Sequence, residues 1–364
     1  MIMATEKIGW GIIGCGIIGP FHADAVQANE QAELVEVCDI VEEKAKKMAE
    51  DYNCSYVTSI EELLANDDIQ AVSICTPSGM HSEHAIAAAQ AGKHILCEKP
   101  LDITLEKIDA MIEAAEVNDV KLAGVFQSRT YPALKKVRQA VRDGKIGKLV
   151  LGECHQKWFR AHEYYASGDW RATWELDGGG ALMNQCIHSI DLLTWIMGDV
   201  ARLSAYCRRL VRNIEVEDTS VANLEFTNGA LGSFVGTTSV TPAENRLLEI
   251  HGDTGTIKVE SERITKWAVP GEEEAIEDEE VQEGTATDPA AVAAAGHIVH
   301  VQDLCEAIIN DREPAVPGRE ARKAVEIIKA IYLSSRLGGS TVELPLSYED
   351  DGPGIYPPQT WPEW

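Results

Sequence analysis

Positive charge and long apolar runs are what this chain has least of. Its 364 residues hold 32 Lys and Arg against 59 Asp and Glu, a formal net charge of -27. Such a surface repels phosphate backbones and anionic membranes, so no nucleic acid and no membrane are expected as partners, and an anionic small molecule would need a local basic patch. No apolar stretch approaches membrane-spanning length, and Met1 to Lys7 carries no signal-peptide apolar core. The nine cysteines occur singly, without a Cys-x-x-Cys pair. Cys38, Cys75 and Cys97 fall inside apolar runs, the habit of small buried hydrophobes in a reducing compartment. A cytoplasmic protein is the expectation. The remaining composition, 45% hydrophobic and 25% charged, is ordinary for a globular chain long enough for two domains.

The stretch Ile8 to Gly19, IGWGIIGCGIIG, organises the first of these. An apolar strand ends in Gly14-Cys15-Gly16-Ile17-Ile18-Gly19, and a helix opens at Pro20, whose fixed φ suits a first helical turn. Gly14 permits the tight turn, Gly16 lets the backbone approach a pyrophosphate, and Gly19 lets helix and strand pack closely. About twenty residues further on, the strand Ala32–Cys38 ends at Asp39, whose carboxylate suits the hydroxyls of an adenosine ribose. It also repels a 2′-phosphate, and Ile40 and Val41 offer no cation, so NAD is favoured over NADP. Lys44, Lys46 and Lys47 follow at helical positions and weigh the other way.

Strand and helix patterns alternate from there to Phe126, predicting an N-terminal Rossmann domain over 1–126 with a doubly wound parallel sheet. After a helix over Tyr131–Arg142, half-alternating strands joined by turns such as Asn228-Gly229 predict a C-terminal α/β domain over 127–364. Its sheet should be large, mainly antiparallel and open on one face, for which a second subunit is the usual cover. The acidic stretch around 271–284, including Glu272–Glu280, reads as a solvated loop, and the tail Pro353–Trp364 as a docking strap or a free end.

Ligands of open parallel sheets bind at the carboxyl ends of the strands, which singles out two loops. Thr76-Pro77 should line the ribose and nicotinamide side, and Glu98-Lys99-Pro100 puts a lysine beside it. Lys99 precedes proline, so its backbone is held out of the helical region and a cis bond is admissible. In the second domain, Gly178-Gly179-Gly180 lets a chain approach a ligand, and Asn184 and His188 fall at i and i+4 of one helix predicted over Leu182–Met197. Gln185 stands beside them, and Asp191 one turn on. Metal binding is not expected, since no third and fourth ligand appear at site spacing. Trp158, Tyr164, Trp170 and Arg171 suit stacking on a sugar and, for Arg171, a carboxylate or phosphate, although each serves packing equally well.

The glycine-rich start, His81 after Thr76-Pro77-Ser78-Gly79, Glu98-Lys99-Pro100 and the run GGGALMNQCIHSIDLLTWIMG together resemble the Gfo/Idh/MocA family of sugar and cyclitol oxidoreductases, essentially end to end. The resemblance implies NAD(P) on the first domain, a small carbohydrate substrate on the second, and homodimers or homotetramers through the C-terminal sheet. It implies Lys99 and His188 as the catalytic pair bracketing the substrate, and Gln127 near the nicotinamide. The inositol dehydrogenase branch has Asp four residues before the histidine. Here that residue is Asn184, which resembles more closely the branch acting at C3 of hexopyranosides and sugar nucleotides. The expected reaction is hydride transfer between a sugar secondary alcohol and NAD. His188, with an unperturbed pKa of about 6.5, would act as base and Lys99, at about 10.4, as electrostatic partner. Three other outcomes stay open on the same fold: NAD-bound glycoside cleavage through transient oxidation, an NADPH-dependent keto-sugar reductase, and a non-catalytic sugar-sensing regulator.

Overall fold

The computed structural model describes residues 7–273 and 295–351. Most of the acidic run Glu272–Glu280 and the tail Pro353–Trp364 lie outside the described residues. Two compact units emerge, the first of residues up to 127 together with 295–322, the second of 128–273 with 323–351.

In the first unit, β1 (Ile8–Ile13), β2 (Ala32–Cys38), β3 (Ser55–Val57), β4 (Ala71–Ile74), β5 (His94–Cys97) and β6 (Leu122–Gly124) form a parallel sheet in the order β3-β2-β1-β4-β5-β6. Its helices are α1 (Gly19–Gln27), α2 (Glu42–Tyr52), α3 (Ile60–Leu64), α4 (His81–Gln90) and α5 (Leu105–Val117). β1 is buried at every position because strands flank it on both sides and helices cover the sheet. Strand order reverses between β1 and β4, so a crevice opens where those two strands end, at Gly14 and Thr76.

In the second unit, α6 (Pro132–Arg142) leads to β7 (Leu149–Lys157), the short α7 (His162–Tyr165), a π-helical turn Ala181–Cys186 and α8 (Ile187–Met197). Strands β8 (Val200–Arg208), β9 (Thr219–Phe226), β10 (Leu231–Thr237), β11 (Leu247–Gly252), β12 (Thr256–Glu260) and β13 (Arg263–Ala268) follow. With β14 (Val342–Glu343) they make an eight-stranded sheet, β13-β12-β11-β7-β10-β9-β8-β14, antiparallel except for the β7–β10 pair. One face carries helices: Met197 of α8 lies against Gly152, and Leu182 and Cys186 lie against Gly236, where any larger residue would collide. The other face alternates to half-buried and exposed side chains along β7 to β10.

α9 (Ala295–Ile309) returns to the first unit, where Val301 and Leu304 join the core around Trp10, Val26 and Leu96; α10 (Gly318–Arg336) follows it. The first unit thus takes in α9 from beyond the change of pattern at 126/127; the pattern of α9 is ordinary amphipathic helix and says nothing of which core it fills. A second departure is the helix over Leu182–Met197, whose first part is a π turn. Its backbone bonds run from i to i+5, and the ordinary α-helix begins at Ile187, between Asn184 and His188. Among the described residues no helix is long and apolar enough to cross a membrane.

Candidate active site

The glycine turn after β1 is built around three different spatial demands. Gly14 has φ +104°, and a Cβ there would lie 2.7 Å from the Cys75 carbonyl. At Gly19 a Cβ would lie 2.6 Å from the Gly14 oxygen, while at Gly16 it would meet nothing within 4 Å. The first and third glycines are thus demanded by the fold, and the second leaves open space of the kind a pyrophosphate fills. At the end of β2, Asp39 accepts Cys15 N–H on one carboxylate oxygen and Val41 N–H on the other, both at 2.9 Å. Each oxygen retains a lone pair for a ribose hydroxyl. Ile17 and Ile40 beside these groups are 71% and 84% exposed, apolar surface suited to a flat ring; Ile18 packs inward against the core. Of the lysines that follow, Lys47 is paired with Asp51 at 2.6 Å. These residues fit a dinucleotide without a 2′-phosphate.

The next two loops of the crevice are tied to each other. His81, buried at the start of α4, has one ring nitrogen 2.8 Å from the Thr76 carbonyl and the other 2.7 Å from that of Pro100. Its ring is thereby committed to joining the Thr76-Pro77 and Lys99-Pro100 turns. Thr76 Oγ1 also contacts His84 Nδ1 at 3.0 Å. The Lys99–Pro100 peptide is cis, and Lys99 is half-buried. Glu98 is turned inward: Oε1 meets His22 and His297, and Oε2 accepts the N–H of Lys99. Gln127, at the end of the first unit's chain, contacts His297 at 3.0 Å.

In the second unit the triple glycine packs against the segment leading into β9 and against α10: a Cβ at Gly180 would overlap the Glu217 carbonyl, and one at Gly179 would overlap the Tyr332 hydroxyl. The Glu217 carboxylate accepts N–H groups from Gly180 and Leu182 and the Tyr332 hydroxyl, anchoring the start of the π turn. Burial pushes this carboxyl up to about 7 although those bonds pull it down. Within the turn, Asn184 donates to Asp177 at 2.9 Å and accepts from Tyr164 Oη at 3.2 Å and Gln185 Nε2 at 3.0 Å. Tyr164 Oη accepts in turn from Arg171 at 3.0 Å and Gln185 at 2.7 Å, and Arg160 donates to Gln185 Oε1 at 2.9 Å. Arg171 lies 4.5 Å from the Trp170 ring centre and 4.7 Å from that of Tyr164, and Arg160 stacks on Trp158 at 4.9 Å. Tyr164, Trp170, Arg171, Asn184 and Gln185 thus come together. His188 follows in the first turn of α8, half-buried. Asp191 is not part of this set: Arg129 grips it through two bonds of 2.8 and 2.6 Å inside the core.

Sequence reasoning missed Arg160, Asp177, Glu217, His22 and His297. Arg160 stands between the singled-out Trp158 and Tyr164, a signal in hindsight of position. The others belong to no motif in the sequence and are made partners only by the tertiary fold.

Residues 8–126 match the family described as an oxidoreductase family with an NAD-binding Rossmann fold, and residues 138–344 match its C-terminal alpha/beta domain. The chain is 30% identical to a myo-inositol 2-dehydrogenase of Thermotoga maritima over 72% of its own length and 78% of the relative's. It is 28% identical to a levoglucosan dehydrogenase of Pseudarthrobacter phenanthrenivorans, over 71% and 75%. Among solved structures it resembles the WlbA dehydrogenase of Bordetella pertussis, in complex with NADH and UDP-GlcNAcA, with a TM-score of 0.84, 34% identity and coverage of 94% of this chain and 100% of that one. The glycine turn, the Asp39 carboxylate and both matched domains place this chain in the Gfo/Idh/MocA family of NAD-binding oxidoreductases.

Proposed function

We propose that this chain is an NAD-dependent dehydrogenase of a sugar secondary alcohol, the C3 hydroxyl of a hexopyranoside or sugar derivative being the first candidate, with Lys99 and His188 as its catalytic pair. The observation that carries the reading is the half-buried set Tyr164, Arg171, Asn184 and Gln185, hydrogen-bonded together, with Arg171 stacked on Trp170. Phenol, amide and guanidinium groups beside an indole are what grips sugar hydroxyls and ring faces. Asn184 is neutral and held by Asp177, which supports a hexopyranoside over a cyclitol. The WlbA relative was crystallised with UDP-GlcNAcA, which supports a sugar nucleotide as substrate class, with Arg171 as the cation for its anionic group.

NAD, when bound, supplies the acceptor for the hydrogen that leaves the carbinol carbon. His188 takes the proton of the reacting hydroxyl, a role worth about 10²–10⁴-fold in rate. Lys99 donates a hydrogen bond to that oxygen as negative charge builds on it. Asn184 and Gln185, fixed by Tyr164, Asp177 and Arg160, orient neighbouring hydroxyls and exchange no proton. NADH formation should be screened over UDP-sugars, glucosides, inositols and free aldoses. Turnover is expected with a sugar nucleotide or hexopyranoside, and His188→Ala should lower kcat about 10²-fold or more. Near-normal turnover by that variant overturns the assigned pair, and turnover with inositols alone overturns the substrate class.

A further inference from the structure

Polar side chains meet inside the first unit where the fold calls for apolar core. Trp10, Ser73, His22 and His297 are fully buried, and Glu98 is 5% exposed. Their hydrogen bonds can be followed proton by proton. Trp10 Nε1–H donates to Ser73 Oγ at 2.9 Å, which leaves the serine hydroxyl to donate to His22 Nδ1, also at 2.9 Å. The proton of His22 is then on Nε2, 3.1 Å from Glu98 Oε1. His297 brings its own Nε2 to the same oxygen at 3.2 Å from the first turn of α9. Its Nδ1 is buried without a hydrogen-bond partner among the described residues, which suits a bare lone pair and puts its proton on Nε2 as well; the Gln127 amide, 3.0 Å from that same Nε2, must then present its oxygen to the ring. The second oxygen of Glu98 accepts the backbone N–H of Lys99 at 3.1 Å.

The arrangement is closely built. A Cβ at Gly296 would lie 2.6 Å from the Cβ of Gln127, so α9 enters flush against the end of the β6 segment and delivers His297 to Glu98. Burial alone would raise the Glu98 carboxyl, but the bonds from both imidazoles hold it well below the usual carboxylate range, and burial lowers His22. An ionised carboxylate thus sits between neutral donors. With protons on both Nε2 atoms, hydrogens occupy the directions a metal's bonds would need, although these are the ligand-type side chains that cluster among the described residues.

We propose that Glu98, His22 and His297 are positioning residues that set the direction of the Lys99 ammonium by clamping its backbone N–H, through a hydrogen-bond chain anchored at Trp10 and Ser73. The inference rests on the catalytic role proposed above for Lys99.

Three variants of the full chain test it: Glu98→Gln, which keeps volume but sets an amide donor against another donor; His297→Phe, which keeps a ring; and Ser73→Ala, a small change remote in sequence from Lys99. The first readout needs no turnover. Competitive acylation with acetic anhydride, quantified by mass spectrometry at Lys99 against exposed Lys47 across pH, reports the titration midpoint of Lys99. A shift of about half a pH unit or more is expected in Glu98→Gln and His297→Phe, smaller in Ser73→Ala, with Lys47 unmoved. No shift at Lys99 in any of the three overturns the proposal. The second readout is kcat for whichever sugar the screen turns over: Glu98→Gln should lower it about ten- to a hundredfold, and add nothing once Lys99 is already Ala. An additive loss overturns the positioning role in favour of general damage. If Lys99→Ala alone leaves kcat unchanged, it is the catalytic assignment that fails, and the labelling shift still decides the clamp. A stoichiometric divalent metal that copurifies and is lost in His297→Phe makes the trio a metal site instead and overturns the proposal.

Discussion

A methyl group added at Gly14 would lie 2.7 Å from the Cys75 carbonyl on a backbone with φ +104°, whereas at Gly16 it would meet nothing within 4 Å. The same substitution should therefore fail in two different ways. Gly14→Ala carries left-handed strain plus a backbone overlap, a combined cost of about 2 kcal/mol or more, and should lower the melting temperature with or without cofactor. Gly16→Ala should melt like the parent but bind NAD at least about tenfold more weakly, because the methyl occupies the space where the pyrophosphate approaches. Fluorescence titration with NADH beside thermal melts separates the cases. Equal NADH affinity in Gly16→Ala and the parent would remove the glycine turn from the cofactor site. These two residues were legible in the sequence because backbone geometry alone dictates them. Glu98 was not: as part of Glu98-Lys99-Pro100 it reads as a cofactor contact, and only the distant His22 and His297 show where its carboxylate turns.

The six parallel strands could be read from the chain because elements buried on both faces are short continuous apolar runs, such as Ala71–Ile74. β13 could not, since Arg263–Ala268 mixes Lys and Arg with its inward Ile264 and Trp267, and the two-residue β14 carries no pattern. Nor could the π turn: nothing in Ala181–Cys186 announces an extra residue per turn, and its start is anchored by Glu217, which enters from β9's side of the sheet. That anchor makes the element sensitive to pH. The Glu217 carboxyl is at about 7 in the folded chain against an ordinary 4.5, so between those values the folded state holds a proton that the unfolded state has lost. Stability from this group is thus complete below 4.5 and declines as pH rises through 7, by about 3 kcal/mol in all. Buried histidines whose values are lowered by burial, His22, His84 and His300, oppose the trend, since they favour the folded state at higher pH. The difference between Glu217→Gln and the parent isolates the carboxyl: melting temperatures should diverge in favour of the variant from pH 5 to pH 8. A difference that stays flat over that range contradicts the raised value.

At the scale of the whole chain, a net charge of -27 must be reconciled with a sheet that, among the described residues, leaves half-buried and exposed side chains along one broad face. Register places Tyr206, Val221, Val235, His155 and Leu247 in one row across β8, β9, β10, β7 and β11. Tyr206 is 54% exposed and Val221 47%. A mostly apolar row of this kind is what a second copy of the sheet would bury, and a two-fold axis lets the same row meet itself. Dimers or tetramers are therefore expected in solution, with light scattering giving a multiple of the 39.7 kDa chain mass. Val221→Asp combined with Val235→Asp should return the chain to monomer with its circular dichroism intact. The charge adds a second signature: like-charged protomers repel over about 30 Å at 0.01 M salt but only about 10 Å at 0.1 M, so the assembly should loosen as salt is withdrawn. A parent chain that is monomeric at every salt concentration, or a doubly substituted chain that stays assembled, would move the interface away from this row.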